Sequence, residues 1–126
     1  MNRRQLVSSV VAAIPLSWVG ALAYADPSPA EAALIESLIQ EVAAEHGIVF
    51  IRNGSEGTPD AAAKHLRDKY AYFRKDIVTA DDFIRLCGTR SELTKQPYQV
   101  RLPDGTSKPA AEWLHGRLAA LRSKAK

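Results

Sequence analysis

Three points along the chain call for a helix to begin, and they frame everything else the sequence can do. Ser28-Pro29 sets a capping hydroxyl directly before a proline, and Glu31, three residues after the cap, completes an S-x-x-E capping box. Thr58-Pro59-Asp60 repeats the cap-plus-proline signal. Proline costs nothing at such a position, because the first N–H groups of a helix have no intrahelical acceptor. At Thr79-Ala80-Asp81-Asp82 a third cap is flanked by Val78 and Phe83, spaced as the two contacting side chains of a hydrophobic staple.

Apolar spacing fills in the helices that these caps start. Leu34, Ile35, Leu38, Ile39 and Val42 form one stripe, with Glu36, Glu41 and Glu45 away from its centre. His46-Gly47 reads as the stop, with Gly47 free to take a positive φ. In the second helix Ala62, Leu66, Tyr70 and Phe73 face inward, while Lys64, Arg67, Asp68 and Lys69 populate the other faces. The third is short, with Phe83, Ile84 and Cys87 inward and Gly88 as terminator. A last helix opens near Pro109 and turns Ala110, Trp113, Leu114, Leu118 and Leu121 to the core. Arg117, Arg122, Lys124 and Lys126 gather at its C-terminal end, where cations complement the helix dipole; that account is preferred to a lipid-binding patch.

Two segments read as strands. Residues 48–51, Ile-Val-Phe-Ile, are β-branched or aromatic and run into the turn Arg52-Asn53-Gly54. Tyr98, Val100 and Leu102 alternate with Gln99 and Arg101 before the turn Pro103-Asp104-Gly105, and residues 89–96 form a polar loop. The expected fold is α+β and mainly helical, with about four helices and a small two-stranded antiparallel sheet. With 126 residues, 46% hydrophobic and 25% charged, the composition excludes wholesale disorder and a collagen-like repeat.

Residues 1–25 have the three-part layout of a cleavable export signal: Arg3 and Arg4, an uncharged run from Leu6 to Leu22, then Ala23-Tyr24-Ala25, with cleavage expected between Ala25 and Asp26. The run contains Ser8, Ser9, Pro15, Ser17 and Gly20, which favours cleavage over a lasting membrane anchor. The paired arginines fit the general secretory route and resemble the twin-arginine motif as well. No Cys follows the run, so a lipoprotein anchor is not expected. Residues 26–126 then form a single globular domain, periplasmic or secreted. Loss of Arg3 and Arg4 lowers the basic residues from 17 to 15 against 14 acidic ones, which removes the electrostatic case for a nucleic-acid partner. The lone Cys87 cannot form an internal disulfide, so stability must come from packing, and its place on an apolar stripe makes it a core residue rather than a reactive thiol.

No strong catalytic motif is present. The loop Asn53-Gly54-Ser55-Glu56-Gly57 matches neither G-x-S-x-G nor a P-loop, although it precedes a helix N-terminus, where free N–H groups can hold an anion. His46, His65 and His115 never approach H-x-x-x-H spacing and there is no Cys pair, so neither a metal nor a cofactor is expected. Polar residues do gather at the strand ends. If the strands pair, Arg52, Asn53, Glu56, His65, Arg90 and Tyr98 converge at one edge of the sheet and form the rim of a binding site for an envelope partner or a small ligand. Two readings compete there: an Arg52–Glu56 salt bridge that only ties down the loop, and a small hydrolase or transferase with His65 as base and Glu56 orienting it. A third is a structural module that self-associates through exposed helix faces.

Phe50-Ile51-Arg52-Asn53-Gly54-Ser55-Glu56 and Ala62-Ala63-Lys64-His65-Leu66-Arg67-Asp68-Lys69 resemble a YfeK-like family of small exported proteobacterial proteins, classed as a domain of unknown function. The resemblance continues through Thr79-Ala80-Asp81-Asp82-Phe83-Ile84, the segment from Arg90-Ser91 to Pro97-Tyr98, and Pro109-Ala110-Ala111-Glu112-Trp113-Leu114, so it covers essentially the whole chain after the signal. It implies a periplasmic or secreted, non-lipidated domain and supplies no catalytic residue, substrate or cofactor. Lys95 stands where the family pattern usually has a glycine, and Gly57 where a bulkier residue is frequent.

Overall fold

The computed structural model describes residues 26–125. The expected export signal and its cleavage point lie outside the described residues. Helix α1 (Pro29–Ala44) begins at Ser28, whose hydroxyl accepts from the Glu31 N–H at 3.2 Å. The reciprocal half of the expected capping box is absent, because the Glu31 carboxylate is used elsewhere: it accepts the Ala80 N–H at 2.8 Å and both terminal nitrogens of Arg122 at 2.9 and 3.1 Å. Glu31 therefore helps to cap a different helix. The C-terminus of α1 ends at Glu45 in extended backbone, and Gly47 does not take the positive φ expected of it.

Strand β1 (Val49–Arg52) turns through Asn53 and Gly54, at φ +53° and +77°, into β2 (Ser55–Gly57), with Arg52 opposite Ser55. Two successive left-handed residues make the tight hairpin turn that Asn-Gly favours. Helix α2 (Pro59–Tyr72) is capped by the Thr58 hydroxyl and followed by a short 3₁₀ turn, Arg74–Asp76. Helix α3 (Ala80–Cys87) carries a complete box: Thr79 accepts from the Asp82 N–H, and the Asp82 carboxylate accepts from Thr79 and Val78 at 3.1 and 3.0 Å. Val78 stays 42% exposed while Phe83 is fully buried, so the start of α3 is held by hydrogen bonds more than by an apolar staple. Strands β3 (Gln99–Arg101) and β4 (Ser107–Pro109) follow, and α4 (Ala110–Lys124) closes the chain.

The sheet is the main correction to the expected fold. It has four antiparallel strands in the order β2-β1-β3-β4, not two. The two missing strands are Ser-Glu-Gly and Ser-Lys-Pro, with no apolar alternation; they exist as strands only because a turn folds them back onto β1 and β3. Pro109 sits on an edge strand, where a missing N–H costs no ladder bond.

One core joins all the layers. Ile35, Leu38, Ile39 and Val42 of α1, Phe83, Ile84 and Cys87 of α3, Val100 of β3, and Trp113, Leu114 and Leu118 of α4 are buried together. Phe50 meets Trp113 edge-on with ring centres 5.8 Å apart, which fastens the sheet to α4. Gly88 lies so close to α4 that an added Cβ would stand 2.5 Å from Leu114 Cδ1. Cys87 is a free, buried thiol whose pKa burial raises to about 12, in keeping with its reading as a core residue. The loop after α3 contains one strained residue, Lys95 at φ +63°, a conformation that a glycine adopts without cost.

Candidate functional site

Helix α2 lies against β1, beside the end of that strand and the start of β3, and one of its buried positions is polar. Lys69, expected on an outer face, is only 8% exposed. It lies three residues after Leu66 and four before Phe73, so it shares their stripe, and that spacing is the signal that would have found it. A buried ammonium must spend its three N–H groups on partners. Lys69 does so on the Arg90 carbonyl at 3.0 Å, the Tyr98 hydroxyl at 3.3 Å and the Glu92 carboxylate at 3.3 Å.

From Lys69 a polar row runs outward to solvent. Tyr98, only 7% exposed, is 2.9 Å from His65 Nε2, and His65 Nδ1 is 3.0 Å from Arg52 Nη1. The partners fix the protons. A guanidinium only donates, so Nδ1 must be the bare nitrogen; Nε2 then carries the hydrogen and gives it to the Tyr98 oxygen. That oxygen accepts from His65 and from Lys69, while its own hydrogen has no protein acceptor among the described residues. Burial, and then the charges of Arg52 and Lys69, push the His65 pKa down to about 4, which keeps the imidazole neutral at neutral pH, as the hydrogen bonding requires.

This row separates two hollows. A cleft of about 360 Å³ lies between the β1–β2 hairpin, the start of α2 and α4; its walls include Phe50, Leu66, Ala62 and Leu114, and its polar edge includes Arg52, His65 and Tyr98. A shallower hollow of about 300 Å³ lies on the other side, against Lys69, Phe73 and Glu92, and it is flanked by Tyr72 and Leu93, which are 80% and 94% exposed. Arg52, Asn53, His65 and Tyr98 border both.

Of the six residues expected at the rim, the structure brings Arg52, Asn53, His65 and Tyr98 together. Asn53 ties the hairpin to the loop after α3, accepting from the Thr94 hydroxyl at 2.6 Å and donating toward Ser91 Oγ at 3.5 Å. Glu56 borders the cleft but faces Arg101 at 2.7 Å; neither the expected Arg52–Glu56 bridge nor a Glu56–His65 pair forms. Arg90 contributes its backbone carbonyl to Lys69, and its side chain lines neither hollow. No group of three or more His, Cys, Asp or Glu side chains placed to hold a metal occurs among the described residues. What the arrangement offers is a fixed row of donors beside an apolar wall, with no carboxylate bonded to His65 among the described residues.

Comparison with known proteins agrees with the resemblance read from the motifs. The uncharacterized protein YfeK of Salmonella typhimurium is 29% identical over 92 residues, covering 73% of this chain and 77% of that protein. No solved structure matches the chain. A family model, that of the family of unknown function DUF5329, matches residues 29–122, nearly all of the described fold, and the chain therefore belongs to that family.

Proposed function

We propose that the protein is an exported, non-catalytic binding domain of the cell envelope that holds a small ligand or a partner segment in the cleft beside Arg52, His65 and Tyr98. The observation that carries this reading is the state of His65: both ring nitrogens are engaged, by Arg52 and by Tyr98, while Glu56, the carboxylate expected to orient it, is held by Arg101 and Asp68, one turn along α2, is held by Lys64. Such a row is built to hold its shape, and a cleft with apolar walls and a few convergent polar groups is the usual form of a ligand site. The hydrolase or transferase reading has no contact in its favour.

Thermal-shift screening of the chain from Asp26 onward against a broad small-molecule library tests the reading, since a ligand that binds only the native state raises Tm by mass action. Hits should vanish in the double variant Arg52→Ala/His65→Ala; hits that persist there place binding elsewhere. Export is supported by the layout of residues 1–25 and is checked by fractionation and intact mass. A periplasmic or secreted species starting at Asp26 is expected, and an uncut cytosolic precursor refutes it.

Self-association is a second reading, favoured by the exposed Tyr72 and Leu93 beside the shallower hollow. Light scattering at rising concentration decides it, because a monomer throughout removes that role.

A further inference from the structure

We infer that the ligand of the cleft is a singly charged carboxylate with an apolar body, its carboxylate held by Arg52 and Tyr98; this rests on the binding reading above and deepens it. The first observation is a missing partner. Arg67, Arg85, Arg101, Arg117 and Arg122 each hold a carboxylate, at 2.7 to 3.2 Å, whereas Arg52, Arg74 and Arg90 hold none among the described residues, and of these three Arg52 alone borders the cleft. Its one hydrogen bond among the described residues goes to a neutral imidazole, and the rest of its planar donor fork is uncommitted.

A second observation is independent of Arg52. Tyr98 is more than nine-tenths buried and borders the cleft, and both acceptor sites of its hydroxyl are filled, by His65 and Lys69. Its hydrogen is therefore a donor waiting for an acceptor. A guanidinium fork and a hydroxyl proton on one edge call for an oxygen anion.

Charge and wall chemistry narrow the class. Glu92 is shared by Lys69 and Lys95, neither of which borders the cleft, and Glu56 is neutralised by Arg101, so among the described residues that line the cleft one positive charge, that of Arg52, is uncompensated. That matches a carboxylate better than a doubly charged phosphate. The opposite wall is Phe50, Leu66, Ala62 and Leu114, which suits an aliphatic or aromatic body of modest size.

The test uses isotope-labelled chain from Asp26 onward, which contains every core residue, titrated by NMR with four probes: hexanoate, hexanamide, and acetyl-Ala-Leu with a free or an amidated C-terminus. The free acid and the peptide arms distinguish a small metabolite from a chain terminus as the source. Hexanoate, the free-acid peptide or both should shift the Arg52 Nε and His65 ring signals, with each matching amide weaker by on the order of tenfold or more. Arg52→Gln should erase the response, Arg52→Lys should restore part of it, and the remote Arg85→Gln should leave it unchanged. Amides binding as well as acids, an Arg52→Gln chain binding like the wild type, or inorganic phosphate displacing hexanoate at lower concentration each overturn the carboxylate assignment and leave the cleft standing as a binding site. Silence toward all four probes overturns the carboxylate assignment, and failure of the wider library as well removes the binding reading itself.

Discussion

Two polar clusters join distant parts of this chain, and they are built on opposite electrostatic plans. At one, Arg122 of α4 meets Glu31 of α1 and Asp81 of α3, and Glu31 also caps α3 through the Ala80 N–H. Every charged group there touches an opposite charge, the two carboxylates sharing one guanidinium, and the hydrogen bond from Arg122 followed by that from Ala80 holds the Glu31 carboxyl below its usual pKa. At the other, Arg52 and Lys69 flank a neutral histidine, and Arg52 has no carboxylate partner among the described residues. A compensated cluster is what a fold needs to fix helix positions. A cluster left one charge short is what a binding site needs, because its missing partner arrives with the ligand.

The sharpest way to break this contrast is at Lys69. If its role were only to sit at the surface, Lys69→Ala would be harmless; as a buried donor to three acceptors, its loss should cost about 2–4 kcal/mol in urea denaturation, since the Arg90 carbonyl, Tyr98 and Glu92 lose a common partner. A cost near zero would show that the row is held from elsewhere. Glu31→Ala tests the compensated cluster. It removes a helix cap and a partly buried ion pair, and Tm should fall by an amount equivalent to about 1–2 kcal/mol, with the ligand response of the cleft unchanged.

The clusters also titrate in different windows. His65 has a folded pKa of about 4 against an ordinary 6.5, so the unfolded chain takes up its proton first. Its contribution to stability is complete above pH 6.5 and is lost as pH falls from there toward 4. Solvent reaches much of the ring, so the loss should be only about 1 kcal/mol. Glu31, Glu36 and Asp82 have lowered pKa values, so their contributions fade only below the ordinary carboxylate values of 4.5 and 3.8. Stability measured between pH 6.5 and 4.5 should therefore slope in the wild type and flatten in His65→Gln; equal slopes would remove His65 as the cause.

The smallest expected effect is the most discriminating. Arg52 is exposed and among the described residues bonds only to an imidazole, so Arg52→Gln should change stability by less than about 0.5 kcal/mol. If the proposed binding role holds, Arg52 is nearly idle in folding and decisive in binding; a large destabilisation would make Arg52 a structural residue and erase the distinction.

Helices were legible because their signals are local. Ser28, Thr58 and Thr79 cap the helices they were expected to cap, since a hydroxyl and the N–H groups it serves lie within one turn. The apolar stripes of α1, α3 and α4 became the core because periodicity alone decides which side of a helix is greasy. Strands β2 and β4 were not legible, because three polar residues become a strand only when a turn delivers them to a partner. Lys69 was misplaced for a related reason: a lysine reads as exposed unless its three acceptors, drawn from the loop after α3 and from Tyr98, are known to converge on it.

What the chain determined by itself, then, is where helices start, which faces turn inward, and that Arg52, Asn53 and Tyr98 stand at the ends of strands, with His65 on the helix that follows the hairpin. Pairing was left to the tertiary structure. Whether Glu56 meets Arg52, His65 or Arg101, and whether Glu31 closes its own box or caps α3, depends on contacts between segments 45 or 49 residues apart. Local chemistry sets the preference of a side chain for a partner, but only the packed chain decides which partner comes within reach.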